Sequence, residues 1–150
     1  MNDNVIIRAD YGAYKKHGWS HVKAHIRYHI IFSTKYRKKC LDKIKDEVIS
    51  SFMKCASRYD FNIYNINLDR DHVHFLMEIP PSLSIGSCVA RMKQISLNDL
   101  YSNEATSKWL KKFYWSKKQK LWTHGYFCST VGLVSETTVW NYINKQGQHK

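Results

Sequence analysis

The run Asp71-His72-Val73-His74-Phe75-Leu76-Met77-Glu78 constrains the fold of this chain more than any other stretch. In a β-strand, alternate side chains share a face. Val73, Phe75 and Met77 then form an apolar face that must be covered by another layer. His72 and His74 stand together on the opposite face, their origins about 6–7 Å apart. Two imidazoles at that spacing can hold one metal ion. Two half-buried histidines on a sheet would have the same pattern, and the strand alone leaves both readings open. Asp71 and Glu78 flank the pair as groups that could tune it. Alternation turns Asp71 away, which argues against direct ligation.

The rest of the chain supplies partners for such a strand. Ala24, Ile26, Tyr28, Ile30 and Phe32 alternate with Lys23, His25, Arg27 and His29, which predicts a strand with one apolar and one basic face. His25 and His29 share the basic face, as groups behind the metal or facing an anionic ligand, or as neutral surface histidines. Leu41, Ile44, Val48, Phe52, Cys55 and Tyr59 recur at helical steps. Runs over 62–69 and 72–79, separated by Asp69-Arg70-Asp71, suit an antiparallel hairpin that ends at Pro80-Pro81. A second helix is expected over 83–101, with Ile85, Cys88, Val89, Met92 and Ile95 as its stripe. Residues 102–125 are irregular and basic. A strand over 126–131 follows, broken by Gly132. Ser135 caps a last helix over 136–146, with Glu136 at its positive end.

That order is β-α-β-β-α-β-α. Its first six elements match the split βαβ plan. The expected fold class is α+β: a ferredoxin-like βαββαβ antiparallel sheet, helices on one face, and a further C-terminal helix. The four-stranded sheet leaves its other face free for function. Residues 1–20 show no period and are read as an N-terminal arm.

The formal charge of +12 calls for an anionic partner, and nucleic acid is the commonest. No run of about 18 apolar residues is present, so no membrane span is expected. Cys40, Cys55, Cys88 and Cys128 are widely spaced without a C-x-x-C, which points to free thiols and a reducing, cytoplasmic setting. Lys35, Arg37, Lys38 and Lys39 follow the basic strand and are candidates for DNA phosphate contacts. Between 108 and 120, lysines interleave with Trp109, Phe113, Tyr114 and Trp115. Lysines track phosphates and aromatic faces stack on unpaired bases, so the tract suits single strands. Trp109 and Phe113 could equally belong to the core.

On the last helix, Tyr142 and Gln146 are four residues apart and share a face, with Val139 and Ile143 as an adjacent apolar stripe. By periodicity alone these are a partly exposed tyrosine and a solvated glutamine. The whole set of segments, however, resembles the single-tyrosine HUH transposases of the insertion sequence 200/605 type. The likeness is carried by Tyr28-His29-Ile30-Ile31-Phe32-Ser33-Thr34-Lys35-Tyr36-Arg37-Lys38, by Asp71-His72-Val73-His74-Phe75-Leu76, and by Leu121-Trp122-Thr123. Tyr126-Phe127-Cys128-Ser129-Thr130-Val131-Gly132 and Tyr142-Ile143-Asn144-Lys145-Gln146 complete it. It runs in order from about residue 21 to 147 and implies an HUH transposase domain over 21–150.

The resemblance implies a DNA transposase that cleaves and rejoins single-stranded DNA at insertion-sequence ends through a covalent 5′-phosphotyrosine. It implies Tyr142 as nucleophile, with His72, His74 and the amide oxygen of Gln146 as ligands to Mg²⁺ or Mn²⁺. The implied partners are single-stranded DNA with a hairpin at the transposon ends, and a second copy of the chain. In such a homodimer the tyrosine helix of one subunit can complete the metal site of the other. Tyrosine attack stores the bond energy in the phosphotyrosine, so rejoining needs no nucleoside triphosphate. The lack of a G-x-x-x-x-G-K-[ST] motif fits that economy. Three other readings share these residues. They are a repeat-associated HUH tyrosine nuclease, a non-catalytic nucleic-acid-binding ferredoxin-like domain, and a metal-dependent nuclease without a covalent intermediate.

Overall fold

A computed structural model describes residues 3–6, 26–131 and 144. Five strands form one sheet in the order β1-β3-β4-β2-β5. They are β1 (Asp3–Ile6), β2 (Arg27–Ser33), β3 (Asn62–Leu68), β4 (His72–Glu78) and β5 (Phe127–Thr130). All neighbours are antiparallel. Helices α1 (Lys45–Tyr59), α2 (Ile85–Ser102) and α3 (Glu104–Lys111) complete the described elements. From β2 to β5 this is the ferredoxin-like plan. Within the region read as an arm, residues 3–6 add a fifth strand at the edge of β3. The expected last helix lies outside the described residues, apart from Asn144, which is helical.

The helices begin and end where local chemistry directs. The first stripe opens as a 3-10 turn over Asp42–Ile44 before the α-helix proper. It stops at Asp60, whose left-handed backbone (φ 57°) returns its N–H to the carbonyl of Ala56. Ser84 caps α2 by accepting the N–H of Ser87. α3 was not expected. Asn103 starts it by accepting from the N–H groups of Ala105 and Thr106, while Glu104 and Lys111 suit the two ends of its dipole.

The core lies between one sheet face and the helices. Ile30 and Phe32 of β2, Val73, Phe75 and Met77 of β4, and Ile63, Ile66 and Leu68 of β3 meet Val48, Phe52, Cys55, Cys88, Val89 and Met92. Phe52 stands edge-on to Phe75 at 4.9 Å, and Phe32 edge-on to Trp122 at 4.9 Å. A bulge between Ile63 and Asn65 lets Ile63 and Ile66, three apart, share this face. The tract at 108–120 is largely structural. Trp109 and Phe113 pack edge-on at 5.1 Å against the core, and the Trp109 indole donates to the carbonyl of Cys40. Tyr114 is buried. Trp115, 91% exposed, is its solvent-facing ring.

Candidate metal and DNA site

Cross-strand register places His29, Ile31 and Ser33 of β2 on the same face as His72, His74 and Leu76 of β4. Ile31 is opposite His74 and Ser33 opposite His72. Asn67 flanks His74 from β3, and Ser129 flanks His29 from β5. The histidine pair thus stands on the face away from the helices, as alternation requires. That face is not open along its length, as the sequence suggested. Ile31, Tyr64 and Glu78 are fully buried on it, and Tyr64 donates its hydroxyl to a Glu78 carboxylate oxygen at 2.9 Å.

Each histidine is held by a neighbour. Nδ1 of His72 lies 2.9 Å from Oδ1 of Asp71. A carboxylate can only accept, so Nδ1 of His72 carries a proton and Nε2 is the nitrogen left to face an ion. Burial raises the Asp71 carboxyl, but hydrogen bonds from His72 and Arg37 outweigh it and hold the group below the usual range. Asp71 had been expected to face away. It precedes the first residue of β4, where strand alternation does not yet apply, and so it reaches His72. Nε2 of His74 lies 3.0 Å from Nδ1 of His29. Burial, then the neighbouring His29 and His72, push His74 down to about 4, so it is neutral at pH 7. Burial, then Arg27, lowers His29 as well.

His74 is neutral, the form in which an imidazole binds a divalent ion, and with His72 beside it on the same face this donor pair fits one. Among the described residues no group of three His, Cys, Asp or Glu side chains converges on one point. Tyr142 and Gln146 lie outside the described residues.

The basic loop beside the pair is tightly built. Tyr36 (φ 61°) and Arg37 (φ 52°) are both left-handed, each at a penalty of about 1–2 kcal/mol. Surrounding bonds maintain that shape. Lys35 N–H donates to Leu121, the Tyr114 hydroxyl to the Lys35 carbonyl, and Thr34 Oγ1 to the Lys38 carbonyl. Lys38 and Lys39 are exposed and Lys35 half-buried. Arg37 turns inward, with its Nε 3.0 Å from Oδ2 of Asp71. A cleft of about 450 Å³ adjoins Lys35, lined also by Lys118, Lys120, Trp122 and Tyr126. Lys93 beneath it is committed to the carbonyls of Thr123, His124 and Gly125.

The family model described as "Transposase IS200 like" matches residues 22–146, most of the chain. The chain belongs to the IS200-like transposase family. Among its relatives is the transposase of insertion sequence element IS200 from Salmonella typhimurium. It is 28% identical over 128 residues, which cover 85% of this chain and 80% of that protein. The ISDra2 transposase TnpA of Deinococcus radiodurans is 25% identical over 122 residues, covering 81% and 84%. A crystal structure of a candidate transposase from Deinococcus radiodurans R1 superposes with a TM-score of 0.71 at 26% identity, covering 82% of this chain and 92% of that one. In this IS200-like chain the antiparallel sheet with helices on one face is therefore the family's architecture. The matched span includes His72, His74, Tyr142 and Gln146. Sequence reasoning missed the Arg37–Asp71 contact. The only available signal was an acid immediately before the first histidine.

Proposed function

We propose that this IS200-like transposase cleaves and rejoins single-stranded DNA at the ends of an insertion sequence, with Tyr142 as nucleophile. The observation that carries the reading is the pair His72 and His74, side by side on one face of β4, with Asp71 against His72 and His29 against His74. His72, His74 and the amide oxygen of Gln146 would hold Mg²⁺ or Mn²⁺. The ion would polarise the scissile phosphate and stabilise its developing charge.

Tyr142 loses its phenolic proton and attacks phosphorus. The P–O bond to the upstream 3′ oxygen breaks, and that oxygen leaves as a 3′ hydroxyl. The 5′ phosphate stays on the tyrosine. A 3′ hydroxyl of another end then attacks the phosphotyrosine, restores a phosphodiester and returns the tyrosine, so no external energy source is consumed. Asp71 orients His72, and the buried sheet face limits water around the pair. Exposed Lys38 and Lys39 are placed for phosphates. The DNA is read as carrying a hairpin at the transposon end. The working unit is read as a homodimer in which one subunit's tyrosine helix completes its partner's metal site.

The test is adduct trapping. Full-length protein is incubated with a single-stranded hairpin oligonucleotide carrying a downstream label, in Mg²⁺ or in EDTA, and resolved under denaturing conditions. A labelled protein band in Mg²⁺ that is absent in EDTA is expected. Cleavage without a band would point to hydrolysis by water instead, and would overturn the reading.

A further inference from the structure

The basic loop after β2 and the histidine pair on β4 are linked by a chain of three side chains. Arg37 Nε meets Asp71 Oδ2 at 3.0 Å, and Asp71 Oδ1 meets His72 Nδ1 at 2.9 Å. Both contacts are shielded, with the Asp71 side chain 14% exposed and that of His72 7%. The backbone supports the arrangement from both sides. Thr34 N–H donates to the Asp71 carbonyl at 2.8 Å, and Leu41 N–H to the Arg70 carbonyl at 2.9 Å. The loop is thereby fastened to the β3–β4 connection on either side of Arg37. Two successive left-handed residues, Tyr36 and Arg37, are what bring the Arg37 head inward, away from the solvent that Lys38 and Lys39 face. Neither residue is glycine, so the conformation is imposed by these contacts.

We infer that Arg37 and Asp71 are positioning residues for the metal centre: Arg37 orients the Asp71 carboxylate, which fixes His72 in the Nδ1–H tautomer with Nε2 toward the ion. The inference rests on the metal reading above. It moves Arg37 from the group of phosphate-binding side chains to the support of a ligand. A carboxylate behind a histidine ligand fixes its ring and raises its basicity, and losing such a partner typically weakens metal affinity about 10–100-fold. Replacing Asp71 by asparagine keeps the shape but offers an amide that can donate as well as accept, so the tautomer is no longer dictated. Arg37 acts one step further away and its removal should do less.

Two readouts on the full chain test this without DNA. The first is the tautomer of His72 in metal-free, ¹⁵N-histidine-labelled protein, read by long-range proton–nitrogen correlation. Wild type should show protonated Nδ1, and Asp71→Asn should lose that state. A wild-type His72 protonated on Nε2 overturns the inference whatever the metal does. The second is Mn²⁺ affinity, followed by the electron paramagnetic resonance of the free ion. Asp71→Asn should raise Kd at least tenfold. Arg37→Gln should raise it several-fold, and Arg37→Lys, which keeps a cation beside Asp71, should restore most of the loss. If wild type binds Mn²⁺ and both Asp71→Asn and Arg37→Gln bind within twofold of it, the inference fails while the metal reading stands. If wild type binds no Mn²⁺, the metal reading fails first. Thermal melts keep folding separate, and Arg37→Gln with its Arg37→Lys rescue covers the case in which Asp71→Asn does not fold. The salt dependence of DNA binding adds a check. Lys38→Gln should lower its slope by about one and Arg37→Gln should leave it unchanged; a full unit lost with Arg37→Gln would return that residue to the phosphate contacts.

Discussion

Nδ1 of His29 lies 3.0 Å from Nε2 of His74, joining β2 to β4 on the face that carries the histidine pair. One nitrogen donates and the other accepts. A metal ion that uses Nε2 of His74 needs that lone pair and replaces this bond. His29→Ala is therefore expected to tighten Mn²⁺ binding about fivefold, the equivalent of one ordinary hydrogen bond of ~1 kcal/mol. Calorimetric titration measures it. Weaker binding would make His29 a helper of the ion rather than its competitor.

Acid should destabilise the metal-free protein through the same residues. His74 is held at about 4 when folded, chiefly by burial, against an ordinary value near 6.5 in the unfolded chain, and His29 is lowered in the same direction. Between those two values the unfolded chain binds the extra protons. The stability associated with neutral His74 is thus complete above about pH 6.5 and is lost as pH falls towards 4. In EDTA the melting temperature should drop across that window. His74→Gln, which does not titrate, should flatten the drop; an equally steep drop in that variant would locate the acid sensitivity elsewhere.

Tyr142→Phe should abolish the covalent adduct and strand joining while leaving DNA affinity within about twofold, because only the phenolic oxygen is lost. Denaturing gels and a binding titration on one hairpin oligonucleotide decide it. Residual adduct in the phenylalanine variant would transfer the nucleophile's role to another of the ten tyrosines.

Tyr64→Phe should destabilise the protein by about 1–3 kcal/mol, because it removes a hydroxyl donor from the fully buried Glu78 carboxylate. Asn62 Nδ2 also donates to that oxygen at 3.1 Å and should limit the effect. Urea denaturation gives the number, and a change below about 0.5 kcal/mol would show that the phenol is dispensable.

Much of this was readable residue by residue. The alternation of Val73, Phe75 and Met77 with His72 and His74 was enough to assign both faces of β4, because a strand has a period of two and one face had to be buried. The stripes of α1 and α2 were readable for the same reason at helical period. α3 was not, because eight residues with only Leu110 and Thr106 buried make too short a pattern, and its capping Asn103 looks like any loop asparagine. The bulge at Tyr64 and the burial of Glu78 were invisible too, since both depend on what the neighbouring strand places opposite them.

The sequence by itself determined the ferredoxin-like order of elements, the shared face of His72 and His74, and membership in the IS200-like transposases. Each of these depends on local periodicity or on residues in fixed order along the chain. Only the tertiary structure decided which neighbours hold the pair. His29 reaches His74 across a strand register, and Arg37 reaches Asp71 across 34 positions because two left-handed residues turn its side chain inward. Such contacts arise where strands and loops from distant segments meet, and no one-dimensional period encodes them.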